Sequence, residues 1–511
     1  MTPPGPVKVS VVMATYNSGT RLAKTVRSLL RQSLHEDEYE LVFVDDGSTD
    51  TTVAYCRSLA ERHHNVQVHS IERSGWPGRP RNVGVKHARG EYVLFVDHDD
   101  YLFPEALERM YTYAKQNRSD VLLGKEVVKG GATAGWTTWK ANQPVVEQLN
   151  QSLLQLLTPH KLYRRQFLLD HDVSFPEGRV RLEDYAFNAQ VFARAARISV
   201  LADYPCYQWV IHPGNAHSQG LHKDAYWNSF RTSLQPALEL PGPARDQLLL
   251  RWYRGRVLRR VGTSFASASP RRRAALMADL GGVLDLFPES LDAKLAAADQ
   301  TRSALLRAGA QETLVTLAHL DRGMTLRLDD IRYRRGVRGL AVRAEATVCD
   351  AAGHPVPFES GPVGLRRSLP EDLNQHLVRH LDLSSELASS VVEVSVRGRR
   401  SGVEWAVPGH GRARFVPHGA QSHLVVSVAA VIQPSRVAFG QRLAPDTWRI
   451  WLRADLLGFQ LRTRIRRPDR SKPATMLARG DFTVARPGRP GATILRATRR
   501  LARRLRHRGR T

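Results

Sequence analysis

The chain has 511 residues, of which 42% are hydrophobic, and this length and composition predict roughly two to four globular domains. Lysine and arginine number 75 against 49 for aspartate and glutamate, so the formal net charge is +26 and an anionic partner is expected. There is no apolar run of about 18 residues and no N-terminal apolar segment, which argues against a transmembrane helix and a secretory signal. Only three cysteines occur and they lie far apart, which argues against a disulfide framework and a zinc site. Together these features indicate a cytoplasmic protein.

The first hundred residues alternate between strand and helix patterns. Buried-strand patterns cover residues 7–17, 39–44 and 92–96, and amphipathic helical patterns and a loop rich in Gly, Pro and Arg, residues 74–82, lie between them. This alternation predicts an α/β domain with a parallel, doubly wound sheet. In such sheets the ligand lies beyond the carboxyl ends of the strands.

Two of the predicted strands end in carboxylates. Asp46 follows the second strand, and Asp97, Asp99 and Asp100 follow the strand at residues 92–96. Carboxylates this close repel one another unless a cation or a hydrogen-bond donor separates them, and a divalent cation with positions open for phosphate suits them. With guanidinium groups from Arg79 and Arg81 in the loop between the two strand ends, these acids predict a nucleotide-diphosphate site. An acidic turn that caps the next helix is the alternative for the triplet taken alone.

Four ordered motifs carry a family resemblance. They are VVMATYN at residues 11–17, VDDGSTD at 44–50, RNVG at 81–84 and FVDHDD at 95–100. Together they resemble family 2 glycosyltransferases of the GT-A fold, and the segments KLYRR at 161–165 and RLED at 181–184 extend the resemblance. The phosphate-loop and dinucleotide-binding glycine motifs are missing from the chain, which argues against a P-loop NTPase or an NAD enzyme.

The resemblance implies roles for the residues that would bind a UDP-sugar. Tyr16 and Asp46 would bracket the uracil, with the backbone of Ala14 nearby. Arg81 would reach the base or the diphosphate, and Asp97 would contact the ribose.

It also implies how the reaction would proceed. Asp99 would bind Mn²⁺ or Mg²⁺, and Asp184 would be the general base that deprotonates the acceptor hydroxyl, with inversion at the anomeric carbon. His217 and Ser218 lie where related enzymes fold a loop over the diphosphate. From the residues alone, an exposed acidic helix start remains open for Asp184, and a solvated loop for His217 and Ser218.

Composition and periodicity divide the chain into four predicted regions. Residues 1–222 are the predicted GT-A domain, and residues 223–325, with helical periodicity, are a helical connector. Period-two alternation over residues 326–470 predicts an antiparallel, immunoglobulin-like β-sandwich with an arginine-rich surface. Residues 471–511 are a strongly basic tail whose thin apolar stripe indicates adsorption to an anionic membrane face. Nucleic-acid binding and a disordered tail are the alternatives.

The order of these regions is similar to that of the wall teichoic acid poly(ribitol-phosphate) N-acetylglucosaminyltransferases. This resemblance implies a cell-wall glycopolymer or polyol-phosphate as acceptor, which suits the net positive charge, and a C-terminal domain that binds acceptor or forms a homo-oligomer. The protein is expected to be cytoplasmic and peripherally associated with the inner face of the cell membrane. Two further hypotheses are a nucleotidyltransferase and a non-catalytic module that binds polyanions or carbohydrate. Neither the donor sugar nor the linkage can be predicted from the sequence.

Overall fold

The chain divides into two compact units, Met1–Trp252 and Tyr253–Thr511. The computed structural model describes residues 6–129, 133–211, 223–336, 339–361, 364–370, 373, 383–468, 477–478 and 481–484. His217, Ser218 and the basic segment after Arg486 lie outside the described residues. Within the described ranges, no helix is both long enough and apolar enough to cross a bilayer. The boundary between the two units, at Trp252, falls inside the predicted helical connector of residues 223–325. The limits of the four predicted regions stay predictions.

The first unit is built around one mixed β-sheet. Its strands are β1 (Val9–Thr15), β2 (Tyr39–Asp45), β3 (Val66–Ser70), β4 (Tyr92–Phe95), β5 (Tyr101–Leu102), β6 (Val121–Lys129), β7 (Leu162–Arg164) and β8 (Ile198–Val210). The strand order is β3-β2-β1-β4-β7-β6-β8-β5. The first four strands run parallel, as predicted, but β7 is antiparallel to β4 and β6. The sheet is mixed because the chain enters β7 from an irregular segment rather than from the crossover helix that parallel pairing requires.

Helices flank this sheet. They are α1 (Arg21–Leu29), α2 (Thr52–Ala60), α3 (Gly78–His87), α4 (Ala106–Asn117), α5 (Arg165–Asp170), α6 (Glu183–Arg194), α7 (Lys223–Leu238) and α8 (Gly242–Trp252). Every residue of β2 is buried, as expected for a strand that is covered on both faces. Helix α3 packs directly on β1, since a Cβ atom on Gly84 would lie 2.2 Å from Val12 Cγ1. A glycine at position 84 therefore lets α3, which carries Arg81, approach the sheet closely.

The second unit begins with helices and continues as antiparallel sheets. The helices are α9 (Pro270–Gly281), α10 (Ala297–Arg307), α11 (Gln311–Asp321) and α12 (Leu383–Leu387). The strands are β9 (Thr325–Gly336), β10 (Gly339–Cys349), β11 (Pro357–Ser360), β12 (Leu365–Arg367), β13 (Val391–Gly398), β14 (Glu404–Val407), β15 (Gly409–His418), β16 (Gln421–Ile432), β17 (Thr447–Leu456), β18 (Phe459–Ile465), β19 (Arg467–Pro468), β20 (Leu477–Ala478) and β21 (Asp481–Thr483).

Two of these sheets bury their apolar faces, as the period-two alternation predicts. One has the order β12-β11-β16-β10-β9, with β15 paired to β16, and the other has the order β14-β13-β17-β18, with β21 paired to β17. Strand β13 lies against β15 and β16. A Cβ atom on Gly411 would lie 1.7 Å from the carbonyl oxygen of Val392, so glycine is required where the sheets meet. The predicted antiparallel β architecture is confirmed.

Candidate active site

The predicted site residues of the first unit emerge at one edge of its sheet. Strand β1 pairs with β2 on one side and with β4 on the other, and all three run parallel. The backbone N–H of Asp46 donates to the carbonyl of Thr15 at 2.9 Å, which continues the pairing past the strand ends. Tyr16, Asp46 and Asp97 therefore follow three neighbouring strands at their carboxyl ends, where ligands bind in open α/β sheets.

Arg81 is the buried centre of this edge. Its side chain is only 5% exposed. The guanidinium donates from Nη2 to Asp97 Oδ1 at 2.9 Å and from Nη1 to Asp184 Oδ1 at 2.7 Å, and Glu183 Oε1 lies 3.6 Å from Nη1. One side chain thus joins the acid after β4 to the acids at the start of α6.

Asp97 has a second cationic neighbour, His160. The imidazole Nε2 lies 3.3 Å from Asp97 Oδ2, and Nδ1 lies 4.0 Å from Glu126 Oε2. The ring stacks on Tyr207 with the ring centroids 3.9 Å apart, and the Tyr207 hydroxyl accepts a hydrogen bond from the Asp97 backbone N–H. Positive and negative groups therefore alternate from Glu126 through His160, Asp97 and Arg81 to Asp184.

This alternation sets the protonation of the buried groups. Burial would lower the pKa of His160, but Asp97 and Glu126 outweigh it and raise that pKa to about 10. Burial would raise the pKa of Asp97, but Arg81 and His160 hold it far below the usual aspartate range. The described network therefore keeps Asp97 ionised and His160 protonated.

The two acids at the start of α6 differ from Asp97. Burial raises the pKa of Asp184 above its usual value, with a further contribution from Asp97, although Arg81 opposes the change. Burial and the neighbouring Asp184 raise the pKa of Glu183 as well. Asp184 keeps 30% of its side chain exposed, whereas Glu183 keeps 10%. Asp184 is thus a carboxylate of increased basicity that solvent or a substrate hydroxyl can reach.

The aspartate triplet folds as a turn in which the three carboxylates have different surroundings. The N–H of Asp100 donates to the carbonyl of Asp97 at 3.1 Å. The Asp100 carboxylate is buried and accepts from the Tyr207 hydroxyl and the Val210 N–H, both at 2.7 Å, so its role is to hold β8 against the turn. Asp97 and Asp99 are both partly exposed.

The turn offers a suitable donor set for a divalent cation. Carboxylate oxygens that open toward solvent are the ligands that Mg²⁺ and Mn²⁺ prefer. Asp97, Asp100 and His160 also place one ligand atom each within 4.8 Å of one another. Because Asp100 and His160 are buried, the partly exposed Asp99 beside Asp97 is more accessible to a cation that is shared with phosphate.

The predicted uracil residues border a loop that leads to α3. Asp46 Oδ1 accepts from the N–H and hydroxyl of Ser74 at 2.6 and 2.7 Å, and Oδ2 accepts from the Gly75 N–H at 2.9 Å. Asp46 therefore anchors this loop with both carboxylate oxygens. The Tyr16 ring lies under the guanidinium of Arg73, 3.8 Å from the ring centroid. The predicted contacts of Ala14, Tyr16 and Asp46 with uracil stay predictions.

Sequence reasoning missed His160, Glu126 and Tyr207. His160 directly precedes the KLYRR segment. Glu126 is a charged residue inside the buried strand β6, and this was the available sequence signal for a functional role of Glu126. The site is completed by pairing across β6, β7 and β8, which the local pattern does not specify. Arg81, Asp97 and Asp184 are brought together by the structure as the resemblance implies, with Arg81 between the two acids.

The fold and the site define the class of this unit, which is a nucleotide-sugar transferase domain of the GT-A fold. Residues 10–178 match the family model described as Glycosyl transferase family 2. Residues 223–318 match the model of the Glycosyl transferase TarS linker domain. The chain therefore carries a family 2 glycosyltransferase domain followed by a linker domain of the TarS type, and the predicted family is confirmed.

Relatives with assigned activities align with the first part of the chain. The poly(ribitol-phosphate) beta-glucosyltransferase of Bacillus spizizenii is 37% identical over 41% of this chain and 33% of its own length. The poly(ribitol-phosphate) beta-N-acetylglucosaminyltransferase TarS of Staphylococcus aureus is 39% identical over 39% of this chain and 35% of its own length. The chain thus spans about a third of the length of these relatives.

Solved structures extend the similarity. The crystal structure of S. aureus TarS 1-349 in complex with UDP-GlcNAc has a TM-score of 0.55 and 29% sequence identity, and it covers 68% of this chain and 98% of that one. The longer S. aureus TarS structure has a TM-score of 0.55 at 22% identity over 90% of this chain and 78% of that one, which concerns the fold alone. The predicted GT-A fold is confirmed.

Proposed function

We propose that this protein is an inverting, divalent-cation-dependent glycosyltransferase. It transfers a sugar from a UDP-sugar to a hydroxyl group of a polyol-phosphate or related cell-wall glycopolymer in the cytoplasm. The observation that carries the proposal is the shared contact of Arg81 with Asp97 at 2.9 Å and with Asp184 at 2.7 Å. It joins a donor-side acid to an acid that is suited to be a general base.

Asp184 is the proposed general base. A sugar-acceptor hydroxyl is a weak nucleophile, and a carboxylate within hydrogen-bond reach increases its reactivity by removing the proton as the new bond forms. Burial makes Asp184 more basic than an exposed aspartate, and Arg81 keeps its carboxylate oriented. Attack by the hydroxyl on the face of the sugar opposite to the departing UDP then inverts the anomeric carbon.

The residues on the proposed donor side would bind the UDP-sugar and stabilise the departing diphosphate. Arg81 and His160 hold Asp97, which is proposed to accept hydrogen bonds from the ribose. Asp99 is the proposed ligand of Mn²⁺ or Mg²⁺. A bound cation would supply electrostatic stabilisation for the charge that develops on the departing diphosphate. Tyr16, Asp46 and the backbone of Ala14 are proposed to hold the uracil, and His217 and Ser218 to approach the diphosphate.

The acceptor class comes from the relatives. The two relatives described above are named as poly(ribitol-phosphate) glycosyltransferases. A third relative, the poly(ribitol-phosphate) beta-N-acetylglucosaminyltransferase TarP of S. aureus, is 31% identical over 39% of this chain and 62% of its own length. A polyol-phosphate is a polyanion, which suits a chain of net charge +26.

The test is a donor and acceptor screen with the full chain. Purified protein is incubated with UDP-GlcNAc, UDP-glucose or UDP-galactose, with Mn²⁺, Mg²⁺ or EDTA, and with poly(ribitol phosphate). UDP release and product mass are followed. We expect at least one donor to release UDP, and we expect EDTA to abolish this release. Asp184→Asn is expected to lower kcat by about 10²- to 10⁴-fold, the usual contribution of a general base, with donor affinity nearly unchanged.

The control is Asp170→Asn, the same substitution at an exposed position of α5. It should leave kcat unchanged. Turnover of Asp184→Asn equal to that of this control would remove Asp184 as the base. Failure of every donor to release UDP, together with tight polymer binding, would instead favour a non-catalytic polyanion-binding protein.

A further inference from the structure

Asn188 is a fully buried polar residue in the interior of α6, one helical turn after Asp184. Its amide nitrogen Nδ2 donates to the backbone carbonyl oxygens of Leu157 and Thr158, both at 3.1 Å, and of Asp184 at 2.9 Å. Its side-chain oxygen Oδ1 accepts from the Tyr163 hydroxyl at 2.9 Å. A primary amide has two N–H donors and one acceptor oxygen, so the donors and the acceptor of this buried side chain are all engaged.

A short irregular segment, residues 157–161, receives two of these hydrogen bonds. We call it the His160 segment. Thr158 is its central contact, because the Thr158 hydroxyl donates to Glu126 Oε1 at 2.8 Å and its carbonyl oxygen also accepts a hydrogen bond from the buried Lys161 Nζ. The next residue is a proline, whose ring fixes the backbone between Thr158 and His160 at one φ angle. A displacement of Thr158 would therefore move His160 as well.

Another of the amide's hydrogen bonds reaches the first turn of α6, which carries the proposed base. Asparagine is a weak helix former because its side chain competes for backbone groups. At position 188 this property lets the amide contact the carbonyl of Asp184, four positions earlier, while it also contacts the neighbouring segment. Arg81 thus holds the Asp184 carboxylate, and Asn188 holds the Asp184 backbone. The position of the carboxylate depends on both contacts.

Packing alone does not require an amide at this position. An apolar side chain could fill a buried space without the need for hydrogen-bond partners. The carbonyl oxygens of Leu157 and Thr158, however, belong to a segment that is neither helix nor strand, where backbone groups have no regular partners. The amide of Asn188 satisfies both, and it thereby gives the irregular His160 segment a fixed position beside α6.

We propose that Asn188 is a positioning residue that fixes the backbone of Asp184 relative to the His160 segment. This role rests on the proposed function, in which Asp184 is the general base. It adds a second link between the base and the donor-side acid, since His160 contacts Asp97. Asn188 is buried and its hydrogen bonds go to backbone carbonyls and to Tyr163, so it acts through Asp184 and not on the substrate.

The test compares matched variants of the full chain. Asn188→Ala removes the link, and Asn142→Ala is its control. Asn142 makes three comparable hydrogen bonds, from the backbone N–H groups of Ala202 and Asp203 and to Asp203 Oδ2, and none of these three involves a site residue. Both variants should melt at a lower temperature, since each loses hydrogen bonds of an internal amide. Only Asn188→Ala should lower kcat, by at least about tenfold, because it frees the base from its productive position.

Affinity for UDP, measured by calorimetry, distinguishes an effect on the base from an effect on the donor side. In Asn188→Ala it should change far less than kcat, because the His160 segment keeps its contact with Glu126. A loss of UDP affinity with unchanged kcat would assign Asn188 to the donor side and would overturn this role. A fall in kcat no larger than that of Asn142→Ala would overturn it too and would leave the amide a contribution to stability alone.

Tyr163→Phe is a milder variant, which decides the matter if Asn188→Ala does not fold. It removes only the hydroxyl that orients the Asn188 amide. Its control is Tyr92→Phe, since the buried Tyr92 hydroxyl donates to the Ser119 carbonyl at 3.1 Å. We expect only Tyr163→Phe to lower kcat, and we expect the double variant Asn188→Ala/Tyr163→Phe to match Asn188→Ala, because the same link is lost. Equal kcat of the two tyrosine variants, or a further fall in the double variant, would contradict the link.

Crystal structures of the variants separate this role from the proposed function. If Asn188 fixes Asp184, the Asp184 carboxylate should be displaced by more than about 0.5 Å relative to β4 in Asn188→Ala but not in Asn142→Ala, since a productive site tolerates no more than that. An unmoved Asp184 would overturn the positioning role even if the chain transfers sugar. A displaced Asp184 in a chain that releases UDP from no donor would support the positioning role and contradict the proposed function alone.

Discussion

Arg81→Lys tests the central contact of the site. Lysine keeps the positive charge but has a single ammonium group, which cannot reproduce the planar fork that contacts Asp97 and Asp184 together. Breaking a fully buried ion pair costs about 3–5 kcal/mol. Asp97 and Asp184 are 38% and 30% exposed, so water compensates in part, and we expect a loss of about 2–3 kcal/mol in the free energy of unfolding.

The same substitution should affect catalysis. Both acids lose their orientation, and a displacement on the order of 1 Å in an active site lowers the rate by about 10²-fold. We therefore expect kcat/KM to fall by about 10²-fold, measured by UDP release, while denaturant unfolding gives the stability change.

The control is Arg109→Lys. Arg109 pairs with Glu105 at 2.7 Å, the same distance as Arg81 to Asp184, but its side chain is 34% exposed and that of Glu105 47%. A surface pair of this kind contributes about 0.3–0.5 kcal/mol, so the control should change stability little and activity not at all. If Arg81→Lys matches this control in both measurements, the guanidinium bridge does not organise the site and the reasoning fails.

Three further substitutions examine other parts of the first unit. Asp99→Ala should raise the Mn²⁺ concentration for half-maximal activity at least about tenfold, as expected for the loss of a metal ligand, without lowering the melting temperature, because Asp99 is partly exposed. His160→Gln should weaken UDP binding in calorimetry, because it removes the cation that holds Asp97; an unchanged UDP affinity would assign His160 to packing on Tyr207 alone. Gly84→Ala should lower the free energy of unfolding by about 1–3 kcal/mol, since its Cβ would overlap Val12 and force α3 away from β1, and Gly281→Ala, with open space around it, is its control.

The sequence predicts the part of the fold that local patterns determine. Strands β2 and β4 end within one residue of their acid-terminated apolar runs, and β1 ends within two residues of its own run. The shared edge follows because parallel strands place their carboxyl ends together. Arg81, Asp97 and Asp184 could be chosen because each belongs to a motif with a family resemblance. The antiparallel β7 could not be predicted, since three residues carry too little periodicity to define a strand direction.

The second half of the charge network could not be predicted either. His160 and Glu126 are far apart in sequence and meet only because β7 inserts between β4 and β6. A lone histidine and a lone glutamate have no spacing that indicates their pairing. Asp46 shows another limit, because its acid-rich motif is compatible with a ligand contact, while in the structure both of its oxygens anchor the loop at Ser74 and Gly75.

That anchoring explains why separate motifs act as one site. Asp46 fixes the loop after Ser74, the loop leads directly into α3, and α3 carries Arg81. Arg81 then orients Asp97 and Asp184 with the same guanidinium. The end of β2 is thus linked to the proposed base by two sets of hydrogen bonds, one at Asp46 and one at Arg81, with α3 between them. Because the buried guanidinium has carboxylates on both sides, neither acid can move without changing the contact of the other. The positions of the proposed donor-side acid and of the proposed general base are therefore set together, as a transfer between two bound substrates would require.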